Sequence, residues 1–486
     1  LRCIVIFRVK RMFENIKFTN PFSNLPSTFY TKQNWSSFDQ PFLLHFNHDL
    51  AKSLGIDDDP EELMQIFNGN KSFEKASPLA MVYGGHQFGN WVNQLGDGRG
   101  ILFGQIDSSD GLIDLHIKGA GKTPYSRFGD GRAVIRSSVR EHLCGEAMFG
   151  LGIPSSRSLM LFGSNEPVMR EDTERGAMIV RTAKTHIRFG HFEYFHHNKI
   201  TNGVKTLLDH VIECYYPDTK QDTDKYLLFF DATVKKTAHM VSAWQSVGFN
   251  HGVMNTDNMS ILGETFDYGP YAFMETYDPN YICNHTDSHG RYSFSNQPSI
   301  AEWNCYALAS ALIDLFSETE LRDILSKFND YFYDSLIEKY RKKLGFKSAQ
   351  DSDYDLLLGL FEIMETEKLD YTNTFRELSK MISSSDNFKL SEKFSIWLAS
   401  YKDRLSKDEN SIEDSRTLMD KNNPKYILRN YLAQSAIEDA EQGKAEKIDE
   451  LAKVLSNPYV DLGKSMDKYC QPAPKEQQNQ QLSCSS

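Results

Sequence analysis

The sequence lacks the features that mark membrane proteins, disulfide-rich secreted proteins and general nucleic-acid-binding proteins. No apolar run approaches the about 18 residues of a transmembrane helix. The 7 cysteines among 486 residues form no CxxC pair, and their odd number and wide spacing are typical of a reducing compartment. The net charge of −12 argues against a general binder of nucleic acids or membrane surfaces. We therefore expect a cytoplasmic protein that binds neither membranes nor nucleic acids.

The rest of the composition is typical of a folded globular protein, and the length of the chain leads us to expect two lobes. Hydrophobic residues make up 40% of the chain and aromatic residues 12%, which is enough for a large core. Short β-like runs at 101–106, 112–118 and 176–183 come before a long series of helical patterns, so the predicted fold class is α+β. The predicted divisions are an extension at 1–11, a loop-rich segment at 12–77, a β-rich N-lobe at 78–190, a helical C-lobe at 191–465 and a flexible tail at 466–486. We expect Met12 to be the native start, and a basic targeting remnant at 1–11 is the alternative.

The segment HGVMNTDNMSILGETFDYG is the most informative part of the chain. Asp257 and Asn258 precede a short apolar run, a Gly-Glu turn and a second short run that ends at Asp267. If residues 259–262 and 265–267 pair as a hairpin, Asn258 and Asp267 become neighbours. Their side-chain oxygens suit Mg²⁺ or Mn²⁺, and protein kinases use an Asn and an Asp in this way to hold metal on a nucleotide. The segment therefore predicts a nucleotide-handling enzyme.

Two glycine-rich loops in the N-terminal half predict phosphate binding. In the first, QLGDGRG, Gly96 and Gly98 allow backbone N–H groups to approach phosphate closely, and Arg99 supplies a guanidinium. A second GDGR sequence contains Asp130 and Gly131. The basic side chains of this region are Arg99, Lys118, Lys122, Arg127, Arg132, Arg136 and Arg140. Ordinary hairpin turns and a solvated basic face are the alternatives, but the interleaved glycines favour an anion site.

A lysine and a glutamate are predicted to form a buried ion pair. Lys118 closes a strand-like run, and the helical stretch at 134–151 carries Glu141 on its apolar surface. A carboxylate in that position needs a cationic partner. A Lys118–Glu141 pair would match the strand-lysine to helix-glutamate pair by which kinases aim a lysine at phosphate. The alternative is a surface Glu141 paired locally with Arg140 or Arg136.

Two further arginines lie near the predicted junction of the lobes. Arg181 ends the strand-like run at 176–183, and Arg188 follows it in the segment HIRFGHF. Arginines beside a cleft can hold phosphates bidentately, but they can equally be structural anchors. Their spacing alone does not decide between the two roles.

Five long motifs make the chain resemble the selenoprotein O family, the YdiU-type protein nucleotidyltransferases. They are HQFGNWVNQLGDGRG, DLHIKGAGKTPYSRFGDGRAVIRSSVREHLCGEAM, MIVRTAKTHIRFGHFEYF, NHGVMNTDNMSILGETFDYGPYAFM and YICNHTDSHGRYSFSNQPSIAEWN. The resemblance runs from about residue 13 to the C-terminus and leaves residues 1–11 outside. It implies a two-lobe kinase-like fold that binds ATP in a reversed orientation. It also implies transfer of AMP from ATP, with UTP as a possible donor, to Ser, Thr or Tyr hydroxyls of proteins.

The resemblance also implies roles for individual residues. Asp257 would be the proton acceptor, and Asn258 and Asp267 would hold Mg²⁺ or Mn²⁺, with Asp267 also contacting the nucleotide. The nucleotide-binding residues implied in the same way are Gly96, Gly98, Arg99, Lys118, Asp130, Gly131, Arg181 and Arg188.

The chain departs from ordinary kinases at the catalytic base. In kinases a His-x-Asp precedes the metal-binding Asn by about five residues, whereas here His251 is followed by Gly252 and Val253. Asp257 is the only carboxylate nearby, so a kinase interpretation by fold analogy alone fails. AMP transfer requires neutralisation of a leaving pyrophosphate, which fits the rich Lys and Arg set. We predict a metal-dependent protein adenylyltransferase, with a conventional kinase and a nucleotide-binding pseudokinase scaffold as alternatives.

A cysteine in the C-terminal tail predicts redox regulation. Cys484 lies in a polar tail that offers no core to pack against, and relatives place Cys or selenocysteine there. A thiol on a mobile tether can reach a second thiol on the globular surface. We expect a reversible Cys283–Cys484 disulfide, with an unpaired tail thiol as the alternative.

Overall fold

The computed structural model describes residue 13 and residues 16–382, 388–477 and 482. The β-strands of these residues are β1 (Phe18–Thr19), β2 (Tyr30–Lys32), β3 (Phe42–Phe46), β4 (Leu79–Met81), β5 (Gly85–Gln87), β6 (Asn90–Val92), β7 (Gly100–Ser108), β8 (Gly111–Lys118), β9 (Ala133–Val134), β10 (Arg157–Met169), β11 (Thr173–Ala183), β12 (Phe249–Asn250) and β13 (Ala272–Phe273). The α-helices are α1 (His48–Ser53), α2 (Pro60–Phe67), α3 (Ile135–Leu151), α4 (Phe189–His197), α5 (Gly203–Tyr215), α6 (Lys225–Ser246), α7 (Gln297–Leu312), α8 (Glu318–Leu325), α9 (Phe328–Lys343), α10 (Asp353–Glu367), α11 (Tyr371–Met381), α12 (Glu392–Ser406), α13 (Ile412–Asn422), α14 (Asn430–Ala440) and α15 (Glu446–Leu455). The fold is therefore mixed α and β, as the sequence predicts.

Nine strands form one large antiparallel sheet. Its order is β2-β4-β7-β8-β11-β10-β3, with β1 added on β7 and β9 on β11. The three predicted β-like runs are confirmed as β7, β8 and β11, and they are neighbours at the centre of the sheet. The long strand β10 has no counterpart among the predicted runs. At the end of β8, Lys118 pairs with Gly100 of β7 on one side and with Ile179 of β11 on the other.

Both faces of the sheet are buried, and the alternation of side chains decides which face Lys118 uses. Ile117 belongs to the hydrophobic cluster on one face, whereas Ile179 belongs to the cluster on the opposite face. Residues directly opposite in an antiparallel pair share a face, and so do residues two apart along a strand. Lys118, Ile179 and Arg181 therefore project from the same face of the sheet.

Helix α3 covers that face. It is buried almost all round, and it packs against β10 and β11 on one side and α14 and α15 on the other. The helix ends at Leu151. The next residue, Gly152, has a φ of 72°, which is the left-handed conformation that follows many helices. The predicted helical stretch at 134–151 is confirmed, and the packing of α3 places Glu141 below the strands that carry Lys118 and Arg181.

The described part of segment 12–77 contains more regular structure than its turn-rich sequence indicates. Strands β2 and β3 form the two ends of the main sheet order, and β1 pairs with β7 near its centre. Asp59 caps α2 by accepting hydrogen bonds from the backbone N–H groups of Glu61 and Glu62. The predicted domain boundaries remain predictions.

Helices dominate the chain from Phe189 onward. Helices α6 and α9 pack against each other, as do α4 and α7, and a separate hydrophobic cluster forms around α10, α11 and α12. No helix among the described residues has the length and apolar character needed to cross a membrane. In the predicted tail, short 3₁₀ helices occupy Lys464–Tyr469 and Lys475–Gln477.

Candidate active site

One cavity of about 610 Å³ collects every residue predicted to bind nucleotide or metal. It lies at the end of the central strands, between the glycine-rich loops and the segment around residues 253–270. The predicted residues that line it are Gly96, Gly98, Arg99, Lys118, Asp130, Gly131, Arg181, Arg188, Asp257, Asn258 and Asp267. The fold brings these residues together from distant parts of the chain, and their individual roles stay predictions.

A network of buried ion pairs forms one wall of the cavity. Lys118 Nζ donates to Glu141 Oε2 at 2.6 Å and to Asp267 Oδ1 at 3.0 Å. Arg181 donates to the same two carboxylates, with 2.9 Å between its Nη2 and Glu141 Oε2. The predicted Lys118–Glu141 pair is confirmed, and the alternative of a surface glutamate is wrong because Glu141 is only 4% exposed.

The cations determine the protonation of both carboxylates. Burial by itself would raise the pKa of Asp267, but Arg181, Lys118 and Arg188 hold this pKa well below its usual range. Burial also opposes ionisation of Glu141, and Arg181 and Lys118 again lower the pKa below the ordinary value. Burial lowers the pKa of Lys118, and Glu141 opposes that shift. Both carboxylates are therefore charged at neutral pH and hold the cations in fixed positions.

Arg188 links the wall to Asp257. Its Nη1 donates to the backbone carbonyl of Asp257 at 2.7 Å and lies 3.5 Å from Asp267 Oδ2. The guanidinium also lies over the rings of Tyr83 and Phe266, at 4.6 Å from each centroid. Asp257 Oδ1 is buried without a hydrogen-bond partner, and burial raises the pKa of Asp257 to about 7. An unpartnered carboxylate oxygen beside fixed cations can accept a proton from a bound group.

The turn from Asn258 to Asp267 is tighter and less regular than the predicted hairpin. The expected pairing of residues 259–262 with 265–267 is reduced to one isolated bridge between Met259 and Thr265. Thr265 Oγ1 also donates to the carbonyl of Asn258 at 2.8 Å. Asp267 has a φ of 58°, so it takes the left-handed conformation directly after this turn. The prediction of two paired strands is wrong, because the pairing stops after the bridge between Met259 and Thr265. The chain then bends at Asp267, whose carboxylate contacts Lys118.

The chemistry of the turn fits a hard divalent cation. Asn258 Nδ2 donates to the carbonyl of Val253 at 3.0 Å, which leaves Oδ1 as an acceptor. Asp267 is charged, and Asp257 Oδ1 is the unpartnered buried oxygen beside it. Among the residues that the structure describes, no group of three or more His, Cys, Asp or Glu side chains could hold a metal ion. Asn258 and Asp267 are thus the side chains of this turn that could contribute oxygens to a divalent cation.

Gly96 and Gly131 allow close packing between the two loops and within the second loop, which runs from Gly119 to Arg132. Gly96 has a φ of 60°, and an added Cβ would lie 2.6 Å from the Tyr125 side chain. Gly131 has a φ of 74°, and an added Cβ would lie 2.1 Å from the Gly121 carbonyl. The Gly121 N–H donates to the Gly131 carbonyl at 2.9 Å, which ties one end of the second loop to the other.

Several members of the basic set have structural partners. Arg136 forms a bidentate pair with Glu174, with both distances at 2.9 Å. Arg140 donates to the carbonyl of Tyr271 at 2.8 Å. Outside this basic set, the predicted nucleotide-binding residue Asp130 accepts hydrogen bonds from Arg170, at 2.7 Å for the closer contact. Only part of the predicted basic cluster is thus directed into the cavity.

The sequence interpretation missed a hairpin, formed by β5 and β6, that docks against the loop around Asp257. In β5, the His86 N–H donates to Thr256 Oγ1 at 2.7 Å, and Gln87 Nε2 lies 3.4 Å from Asp257 Oδ2. The Phe88 N–H donates to Asn255 Oδ1 at 3.2 Å. The HQFGN motif was visible in the sequence as a possible part of the site. Its position beside Asp257 could not be predicted, because it depends on contacts between residues that are 170 positions apart in the chain.

The predicted redox pair is only partly within the described structure. Cys283 is buried, with its Sγ 2.8 Å from Asn250 Oδ1, so it does not lie openly at the cavity mouth. Cys484 lies outside the described residues. Leu482, two residues before it, bridges to Asn284, and the His285 N–H donates to the Leu482 carbonyl at 3.1 Å. Leu482 therefore lies beside the loop that carries Cys283, and the disulfide stays a prediction.

Comparison with known proteins gives a consistent result over nearly the whole chain. The family described as "Protein adenylyltransferase SelO" matches residues 12–456. The protein nucleotidyltransferase YdiU of Erwinia tasmaniensis is 45% identical over 480 residues, which cover 97% of this chain and 100% of the relative. The protein of the same name from Vibrio atlanticus is 46% identical over 459 residues, with coverage of 93% and 95%. A third, from Vibrio parahaemolyticus, is 44% identical over 488 residues, with coverage of 98% and 100%.

These matches include all of the cavity residues described above. The resemblance noted from the motifs is therefore confirmed at the level of the whole chain. The chain belongs to the SelO family and is an enzyme of the nucleotidyltransferase class.

Proposed function

We propose that this enzyme is a protein adenylyltransferase that transfers AMP from ATP to the hydroxyl group of a Ser, Thr or Tyr side chain. The observation that carries the proposal is the make-up of the cavity. Lys118, Arg181 and Arg188 are all buried in its wall, and Asp257 lies beside them with an unpartnered oxygen. Buried cations suit a triphosphate, and a nearby carboxylate suits removal of a hydroxyl proton. The family description and the printed names of the relatives support the same reaction.

The proposal includes a kinase-like arrangement of two lobes with ATP in a reversed orientation. The support is that a strand lysine, a helix glutamate and a loop aspartate come together here as Lys118, Glu141 and Asp267. The reversed orientation would place the β- and γ-phosphates against the buried cations. The α-phosphorus would then lie nearer to Asp257.

The bond changes of the proposed reaction follow from these positions. The protein hydroxyl oxygen attacks the α-phosphorus of ATP, and Asp257 accepts the hydroxyl proton. The bond between the α-phosphorus and the oxygen that bridges to the β-phosphate breaks, and pyrophosphate leaves with the electron pair. Lys118, Arg181 and Arg188 neutralise the charge that develops on this leaving group. Asn258 and Asp267 would hold Mg²⁺ or Mn²⁺ with the phosphates, where the metal would supply further positive charge.

The test is the fate of two labelled phosphates. The purified enzyme is incubated with a dephosphorylated protein extract and with ATP labelled at either the α- or the γ-position. We expect protein-bound label from the α-position only, with AMP found on Ser, Thr or Tyr by mass spectrometry. Label from the γ-position would instead identify a kinase, and the absence of both would identify a nucleotide-binding scaffold.

Two further arms complete the experiment. UTP labelled at the α-position measures whether UMP is transferred as efficiently as AMP. Asp257→Asn should lose transfer, because the replacement cannot accept the proton. Asp222→Asn is the matched control, since Asp222 is an exposed aspartate outside the cavity. Equal transfer by both variants would contradict the role given to Asp257.

A further inference from the structure

A second cavity of about 750 Å³ lies behind the catalytic turn. Its walls come from α6, α9, the connection between α3 and β10, and the tip of the turn at residues 262–264. The base of the same turn carries Asn258 and Asp267 into the catalytic cavity. The two cavities therefore share one short segment of the chain but face opposite sides of it.

The second cavity concentrates positive charge in an acidic protein. It is lined by two carboxylates, Asp110 and Glu264, although the whole chain has a net charge of −12. Its lysines are Lys184, Lys236, Lys339, Lys342 and Lys343. Among the described residues, Lys342 alone of these has a carboxylate within 4.0 Å, namely Glu338 at 3.0 Å. An anion could therefore pair with Lys184, Lys236 or Lys339 without the loss of an ion pair.

Lys343 is the strongest single observation. It is 3% exposed, and its Nζ lies 4.3 Å from the ring centroid of Phe375, with no carboxylate of the described residues within 4.0 Å. Burial lowers the pKa of Lys343 to about 7. A buried ammonium group without an anion is costly in a folded protein. The Lys343 ammonium lies against the rings of Phe375 and Tyr371, which are outside the lining, so it adds positive potential behind the cavity wall.

The neighbouring lysines have neutral partners. Lys339 Nζ donates to Ser335 Oγ at 3.0 Å, and Lys236 Nζ donates to the Tyr216 hydroxyl at 3.2 Å. Burial lowers the pKa of Lys339, and the like charge of Lys342 lowers it further. The charges of Lys339 and Lys342 therefore repel each other, and a bound anion would reduce this repulsion. Glu264 of the same lining acts in the opposite direction and favours the charged form of Lys236.

The remaining lining combines apolar side chains with the polar side chains of His239, Ser246 and Asn422. The apolar part includes Leu112, Ile153, Met240, Val247 and Tyr459. The volume is in the range of sites for small organic ligands, and several lysine point charges suit phosphate oxygens. We propose that this cavity is a second binding site, for a small organic molecule that carries phosphate groups.

Lysine acetylation read by mass spectrometry tests the proposal on the intact enzyme. Acetylation is measured with and without ADP, glucose 1,6-bisphosphate, inorganic pyrophosphate or a tetraglutamate peptide. ADP or glucose 1,6-bisphosphate should protect Lys236, Lys339 and Lys342 at least threefold, saturably and more strongly than pyrophosphate does. Transfer of label from α-labelled ATP reports the catalytic cavity separately, so failure of the proposed reaction would not affect the protection of these lysines.

Variants of the lining lysines provide the control. The double variant Lys339→Gln with Lys342→Gln should remove protection at Lys236, and Lys236→Gln should weaken protection at Lys339 if the double variant does not fold. Lys235→Gln and Lys347→Gln are matched controls on α6 and just beyond α9, outside the lining, and they should keep protection.

Three results would overturn the proposal. The first is that neither organic phosphate protects the lining lysines. The second is protection by pyrophosphate or tetraglutamate alone, which would identify a site for inorganic anions or acidic peptides. The third is equal protection of Lys235 and Lys347, which would identify non-specific screening.

Discussion

Replacement of Asp267 by Asn should separate nucleotide binding from catalysis. Asp267 is the only carboxylate in contact with Lys118, Arg181 and Arg188 together among the described residues. Asp267→Asn keeps the shape of the side chain but removes its charge, so three buried cations lose a shared counter-ion. ATP phosphates could then replace part of the missing negative charge. We expect ATP without metal to bind at least as tightly as to the wild type.

The size of the effect follows from the distances. At an effective dielectric constant of about 20, an ion pair of the length found between Lys118 and Asp267 has a gross Coulomb energy of about 5 kcal/mol. Loss of one member of a buried pair costs about 3–5 kcal/mol net, and the lower end applies because the Asp267 side chain is 27% exposed. For a chain of 486 residues, a loss of about 3 kcal/mol lowers Tm by about 3 °C.

Three measurements on Asp267→Asn check this reasoning. Transfer of label from α-labelled ATP should fall at least ~10²-fold, because charge stabilisation in the transition state is lost. Calorimetry should show the lower Tm, and titration without metal should show retained ATP binding. Asp222→Asn should change none of these. Transfer within threefold of wild type, or an unchanged Tm, would refute the account of Asp267.

Three further predictions concern other parts of the chain. Lys118→Met should abolish transfer and Glu141→Gln should reduce it less, since Glu141 acts by orienting the lysine; α-label incorporation measures both, and equal losses would contradict this order. Lys343→Met should raise the free energy of unfolding at pH 7 by about 4 kcal/mol, because the pKa is about 7 in the folded chain and about 10.5 in the unfolded chain. The unfolded state binds more protons between these values, so wild type should gain stability relative to the variant as pH rises from 7 towards 10.5 in urea titrations. Mild oxidation should yield a Cys283–Cys484 peptide in non-reducing maps, and its absence with activity indifferent to dithiothreitol would refute the disulfide.

Local sequence patterns were sufficient to predict the centre of the site. The β7, β8 and β11 runs are long and apolar, and α3 is apolar nearly all round, so both types of element were visible without tertiary information. A glutamate on such a helix needs a cation, and the strand-lysine to helix-glutamate pair of kinases favoured Lys118 over the local alternatives Arg140 and Arg136. The same reasoning did not find Arg181, the second partner of Glu141. Arg181 lies on β11, and its position beside Lys118 depends on how β8 and β11 pair in the sheet.

Features that depend on distant contacts were not predictable in this way. The docking of Gln87 beside Asp257 joins segments that are 170 residues apart. The lysine cavity combines lysines from α6, α9 and the end of β11, each of which would be taken for an ordinary surface charge on its own element. The short turn from Asn258 to Asp267 was misjudged for a different reason. Its residues satisfy the pattern of a hairpin, but the left-handed Asp267 ends the pairing after one bridge.

The charge balance of the cavity wall indicates how the buried ion pairs could act on a bound nucleotide. Lys118, Arg181 and Arg188 face two carboxylates, Glu141 and Asp267, so the wall carries excess positive charge before any ligand binds. Glu141 lies behind the cations and fixes them, whereas the partly exposed Asp267 lies on the cavity side. An entering polyphosphate therefore meets cations whose positions are already set, and it need not pull them from water. Such preorganisation stabilises charge that develops during a reaction more than it stabilises the resting nucleotide, which is why Glu141→Gln should affect the rate of transfer more than the binding of ATP.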